Sequence, residues 1–215
     1  MRLRTLAVAA VVAALPLVAV ADRGALTLEV APALTWWPAW GPPVGSGTGV
    51  SGWTAGGLVG VRYALRNEVE LTLNGFYEAP ATFTNPGTTV DSGTVPLTGT
   101  ARATVSRWCA LAGARWVQGL AWRWFVGAEI GYAQQSLSAL DLIDVADPGN
   151  PHSFGLTLPN RSESAFVLSP LAGIEWQFAD HWSAAFTPRL QVMFGGVSRV
   201  AVVLPLSIGY SWYGL

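Results

Sequence analysis

Three groups of residues in this chain have types and spacings that chemistry can use. The first holds two histidine–serine pairings. His181-Trp182-Ser183 sets an imidazole two residues from a hydroxyl, and His152-Ser153 sets the two side by side. Either pairing suits acyl-group hydrolysis, in which a histidine base activates a serine and a third group holds the base. For His152 that third group would be Asp147 or Glu163, and the spacing singles out neither. The second group, Asp141, Asp144 and Asp147, recurs every third residue, as on one face of a short surface helix. Calcium normally takes six to eight oxygens, so a solvated loop is expected there, with no metal or cofactor. Asn160-Arg161-Ser162 matches a glycosylation sequon and is read as chance. No catalytic residue is assigned.

The third group is the most informative. Glu29, Arg62, Glu70, Arg107, Arg115, Arg123, Glu129, Glu175 and Arg189 all fall on the non-apolar positions of alternating segments. Their signs nearly balance, and a charge withdrawn from water is tolerated only when paired. These nine residues are the candidate site: an enclosed Arg/Glu network.

The elements that must position them read as strands. Every second side chain of a strand shares a face, and eight runs alternate in this way: residues 26–36, 53–63, 69–77, 107–116, 122–132, 166–178, 183–194 and 200–212. The apolar face of all eight carries no charge, while the rest of the other face is largely Gly, Ala, Ser and Thr. Tight turns are expected at Arg66-Asn67, Gln118-Gly119 and Ala179-Asp180-His181. Longer connections are expected near 37–50, 79–100 and 134–163, with a shorter one at 195–199. Pro32, Pro170, Pro188 and Pro205 lie inside expected strands. Each deletes a ladder donor, so bulges or rim positions are expected there.

Four times a glycine precedes a bulky aromatic by three residues: Gly60 and Tyr63, Gly113 and Trp116, Gly173 and Trp176, Gly209 and Trp212. The recurrence suggests one strand-ending device repeated at one rim of a closed sheet. The aromatics form two levels. Trp36, Trp53, Tyr77, Trp108, Tyr132, Phe166 and Phe194 lie towards the long loops. Tyr63, Trp116, Trp122, Trp176, Phe178 and Trp212 lie towards the tight turns. Trp53 and Tyr63 are ten residues apart, as are Trp122 and Tyr132. At ~3.3 Å per residue and ~40° tilt that is roughly 25 Å, the height of a lipid-facing band.

Composition and the N-terminus agree with this. Arg2 and Arg4 precede an apolar stretch from Leu6 to Val18 and an Ala19-Val20-Ala21 cleavage pattern. That is a secretory signal peptide, too short to span a bilayer. The expected organisation is therefore a cleaved leader, 1–21, and one barrel domain, 22–215. The chain is 51% hydrophobic and only 12% charged, without a lysine, against about a quarter charged in ordinary soluble domains. No later apolar run reaches the ~20 residues of a membrane helix, so strands must carry the apolar surface. A net charge of −1 leaves no nucleic-acid footprint. The lone Cys109 has no internal disulfide partner.

These segments resemble the small eight-stranded outer-membrane proteins of Gram-negative bacteria, of the OmpA membrane-domain, OmpX and OmpW type. The likeness is carried by Gly57-Leu58-Val59-Gly60-Val61-Arg62-Tyr63, by Phe125 to Tyr132 and by Leu171 to Trp182. The resemblance implies an all-β, antiparallel up-and-down transmembrane barrel in the outer membrane. Short turns would face the periplasm and long loops the outside. Its partners would be outer-membrane lipid and lipopolysaccharide, with the barrel-assembly machinery during biogenesis, and it would be a monomer. The expected role is structural or surface interaction, with the lumen filled by the Arg/Glu network. Two alternatives stand beside it. One is a narrow channel or an OmpW-like passage for small or apolar solutes, motivated by Leu142, Ile143, Val145, Phe154, Leu156 and Leu158. The other is an outer-leaflet lipid-modifying enzyme through His152 or Ser153, which lie in the longest loop on the side of the outer leaflet. His181-x-Ser183 superficially resembles the His-x-Ser of lipid A deacylases, but its setting argues against that role. Ala184 follows where that family has asparagine, and the triplet sits on the turn side, away from lipid A.

Overall fold

The computed structural model describes residues 23–40, 50–91, 96–138, 140–144, 152–158, 161–195 and 199–213. The expected leader lies outside them. Every regular element among the described residues is a strand: β1 (Leu26–Trp40), β2 (Val50–Arg66), β3 (Val69–Asp91), β4 (Pro96–Gly119), β5 (Trp122–Leu137), β6 (Leu140–Asp144), β7 (His152–Leu158), β8 (Arg161–Gln177), β9 (Trp182–Phe186), β10 (Arg189–Phe194) and β11 (Arg199–Trp212).

β1 to β5 pair in sequence, β5 pairs β8, and β8 pairs both β9 and β10. β9 and β10 pair β11, and β11 returns to β1 with Leu26 opposite Trp212. β9 and β10 form one stave interrupted at Thr187-Pro188, so eight antiparallel staves close a barrel. Closure leaves no free edge within the barrel, and the alternation of side chains then divides the residues strictly into wall-out and wall-in.

The division is inverted relative to a water-soluble protein. Leu73, Trp122 and Leu206 are about 60% exposed, whereas Glu78, Glu129, Glu175 and Arg107 are 1% exposed. All thirteen expected belt aromatics lie on the outer surface. Several touch across staves, as Trp122 and Trp176 do with ring centroids 5.6 Å apart. The four glycine–aromatic pairs occupy β2, β4, β8 and β11, the staves that descend towards the tight turns.

Several expectations are corrected. In the segment 79–100, expected as a loop, residues 79–91 and 96–100 continue as paired strand: Thr84 faces Arg102, and Asp91 faces Pro96. Above the lipid the alternation inverts: Phe83, Ala101, Ala103 and Val105 are buried inside, and Thr82, Thr84, Thr98 and Arg102 face out, so no apolar outer face marks the strand. Asp141 and Asp144 belong to β6, not a helix, and Asp147 lies outside the described residues. β6 lies against the extension of β4, with Arg102 opposite Asp141, and β7 lies against β6. Two of the three tight turns fall one or two residues later than expected, at Asn67-Glu68 and Leu120-Ala121, and the third lies at Ala179-Asp180-His181 as expected.

The four prolines cause no bulge. Pro32 stays in register with Gly57, and Pro170 with Ala128. Pro205 stays opposite Ala33. An antiparallel residue points its N–H at one neighbour only, so each proline opens a gap in one ladder and leaves the other intact. Pro188 takes its own residue out of the strand, yet its carbonyl accepts from Ala172 N at 3.2 Å. Bulges occur instead above the lipid band, near Pro38, Pro80 and Pro86.

Candidate functional site

Inward-facing charges from β1, β2, β3, β4, β5 and β8 meet at the turn-side end of the lumen. Arg62 reaches Glu175 Oε2 at 2.7 Å, Glu29 Oε2 at 3.2 Å and Glu70 Oε2 at 3.3 Å. Arg115 Nη2 reaches the same oxygens of Glu70 and Glu175 at 2.7 and 2.8 Å. Its guanidinium lies 4.2 Å from the centre of the Phe125 ring. Arg123 also contacts Glu175 and lies 3.7 Å from Glu70. Three arginines therefore meet three glutamates, and the layer is neutral.

Further pairs stack above it. Glu129 accepts from Thr72 Oγ1 at 2.9 Å, Asn74 Nδ2 at 2.6 Å and Arg189 Nη1 at 2.9 Å. Higher still, Arg107 Nη2 donates to Glu78 Oε1 at 2.6 Å, with its guanidinium 4.7 Å from the centre of the Trp37 ring. At the loop-side end Arg199 bonds Gln135 and reaches Glu163 Oε2 at 2.6 Å. Met193 Sδ bridges the last two layers, accepting from Arg107 and Gln135 at 3.4 Å each. Each layer is neutral by itself.

Small residues make this density possible. Glu29 lies opposite Gly60 on one side and Gly209 on the other. A β-carbon on Gly60 would stand 2.0 Å from Asn74 Oδ1 and 2.9 Å from Glu29 Oε1. One on Gly209 would press Ser183, Thr27 and Arg62 at 3.0–3.2 Å. The recurring glycines therefore clear space on the inside while their aromatic partners face out.

All nine sequence-derived charges point inwards and join these layers. Glu78, Glu163 and Arg199 were missed as members. Glu78 continues the inward period of Glu70, Thr72, Asn74 and Phe76, a signal available in the sequence. Glu163 and Arg199 lay in segments expected to be loops. Glu163 is engaged by Arg199 through Oε2 at 2.6 Å. The side chains of His152 and Ser153 lie outside the described residues. His181 stacks against Tyr210 and Tyr213, with Nδ1 2.8 Å from the Ser211 carbonyl oxygen. Ser183 is buried inside the wall. Cys109 is free and buried opposite Phe76. Among the described residues no three His, Cys, Asp or Glu side chains are grouped to hold a metal ion.

No family model and no curated protein matches the chain. Solved structures do. Ail of Yersinia pestis, in complex with the heparin analogue sucrose octasulfate, superposes with a TM-score of 0.54 at 11% identity, over 88% of this chain and 99% of that one. Neisserial surface protein A gives 0.54 at 10%, over 87% and 99%. OprG of Pseudomonas aeruginosa, an outer-membrane protein, gives 0.56 at 9%, over 92% and 100%.

The fold is that of the small eight-stranded outer-membrane barrels.

In such a barrel eight staves leave an interior just wide enough for side chains to fill. Here those side chains are twelve charges in neutral layers with aromatic and methionine spacers between them. The outer-membrane barrel fold also accounts for the two aromatic levels, which mark the water–lipid boundaries on either side of the apolar band.

Proposed function

We propose that this chain is exported, cut after Ala21 and inserted as a monomeric outer-membrane barrel with a structural or surface-interaction role, its lumen closed. The observation that carries the reading is the stack of buried ion pairs. A conducting pore needs a continuous wet path, whereas Arg62, Arg107, Arg115 and Arg189 are at most 4% exposed and each engages at least one glutamate. The Arg/Glu layers hold the strand register and close the passage. Activity then falls to the part outside the bilayer, the sheet made by the upper halves of β3 and β4 with β6 and β7. Lipid and lipopolysaccharide surround the wall, and the assembly machinery acts during insertion.

Charge separates this chain from a polyanion receptor. The outer segments carry Arg102 and Arg161 against Asp91, Asp141, Asp144 and Asp147, with no lysine. A sulfated ligand of the kind bound to Ail in its crystals meets an acidic excess here. A partner recognised through backbone and uncharged side chains fits better.

The test is reconstitution of the folded mature chain in planar bilayers. The closed barrel gives no single-channel steps and no solute flux into proteoliposomes. Reproducible steps or flux would overturn the closed reading in favour of a narrow passage.

A further inference from the structure

On the turn side of the barrel two arginines are exposed among the described residues, Arg23 and Arg66, and they stand at one corner. Gly24, with a φ of 87°, lies in the left-handed region. Its N–H donates to the Ala64 carbonyl at 2.9 Å, and the Ala64 N–H donates to the Ala25 carbonyl at 2.9 Å. Two residues leading into β1 thus oppose one of β2, a glycine bulge that bends the strand end. The bend brings Arg23 beside Leu65 and Arg66, which line one open pocket of about 590 Å³ with Asn67 and Glu68. Neighbouring like charges are destabilising, and neither arginine makes an ion pair with another described residue. The other tight turns have no such pair: Leu120-Ala121 is uncharged, and Ala179-Asp180-His181 carries one carboxylate. Height places the corner. Leu65 continues the outward file of Val59, Val61 and Tyr63, and Arg66 lies three residues beyond Tyr63 of the turn-side belt. At ~3.3 Å per residue and ~40° tilt that is roughly 8 Å past the belt, at the level of lipid headgroups.

We propose that this corner is a headgroup site for one phospholipid that carries both a phosphate and a protonated amine, of the ethanolamine type. Charge complementarity selects the occupant. A phosphodiester accepts from both guanidiniums through their planar forks and cancels the repulsion between them. The Glu68 carboxylate on the same pocket then accepts from the ammonium. Leu65 meets the glycerol end of the acyl chains, which run up the wall over Tyr63, Val61 and Val59. Competing headgroups fit less well. A glycerol headgroup brings the phosphate but leaves Glu68 facing an anion without a cation. A choline headgroup brings the positive charge but has no N–H to donate. The site lies on the outside of the barrel, so it needs the wall's contact with lipid and not the closure of the lumen.

The experiment titrates the folded mature chain in detergent micelles with four lipids of identical acyl chains: phosphatidylethanolamine, phosphatidylglycerol, phosphatidylcholine and diacylglycerol. Native mass spectrometry reads the lipid retained on each barrel. One phosphatidylethanolamine is expected to be held about fivefold more tightly than either other phospholipid, and diacylglycerol not at all. Arg23→Gln combined with Arg66→Gln should weaken phosphatidylethanolamine by about tenfold. Glu68→Gln should keep the phosphate contact and abolish the preference for ethanolamine over glycerol. Asp180→Asn, on the third turn, should leave retention unchanged. Heat-modifiable migration on gels verifies that each variant is folded. A folded double-arginine variant that retains the lipid normally would overturn the proposal, as would equal loss on Asp180→Asn. Wild-type barrels that hold phosphatidylglycerol or phosphatidylcholine as tightly would overturn it too. Complete displacement by millimolar inorganic phosphate would mark a free-anion site and overturn it in favour of that.

Discussion

Glu175→Gln is the sharpest test of the ion-pair stack. Glu175 is 1% exposed and contacts Arg62, Arg115 and Arg123 together. Glutamine keeps the shape and one acceptor but removes the charge, so three arginines are left facing two glutamates. Removing one partner of a buried pair typically costs ~3–5 kcal/mol. Each arginine keeps Glu70, at 3.3, 2.7 and 3.7 Å respectively, which places the expected loss near the lower end, about 3 kcal/mol. Unfolding in urea from lipid vesicles, followed by tryptophan emission, measures it. A second substitution sharpens the test. Arg123→Gln in the Glu175→Gln background restores neutrality, so the double variant should be less destabilised than the two single losses added, by about 1–3 kcal/mol of coupling. A loss below about 1 kcal/mol for Glu175→Gln, or strict additivity, would refute the claim that this layer acts as one charge-balanced unit.

Three further outcomes follow from the geometry. Gly60→Val forces a branched side chain into Asn74 and Glu29. It should cost at least the ~1–3 kcal/mol of an overpacked core, with a lower yield of heat-modifiable barrel on gels. Thr35 is fully buried and its hydroxyl has no hydrogen-bond partner, so Thr35→Val should raise stability by about 1 kcal/mol in the same urea assay, and a loss of that size would contradict the buried placement. In variants that keep a single tryptophan, bromine-labelled acyl chains should quench Trp122 and leave Trp37 bright. Trp122 is 62% exposed on the wall and Trp37 is sealed in the lumen. Equal quenching would mean that the inside–outside assignment of β1 is wrong.

The period-two alternation and the ten-residue spacing of aromatics determined the wall, its lipid-facing side and the inward set of charges. Those features are local: a strand's pleat assigns each side chain to a face without reference to any other strand. The four glycine–aromatic pairs were legible for the same reason, although their purpose was not. Only the closed barrel shows that Gly60 and Gly209 flank Glu29 from two sides. Which charge meets which was also decided by closure, since Arg62 and Glu175 are 113 residues apart in sequence. The extension of β3 and β4 beyond lipid was read as a loop because its alternation inverts, with Phe83, Ala101, Ala103 and Val105 inside and threonines outside, where water replaces hydrocarbon on the outer face. Its strands are held by backbone pairing together with buried side chains such as Phe83, Val105 and Leu142. Side-chain pattern records what a residue faces, and backbone pairing records what it lies beside; the second becomes visible only when the staves are brought together.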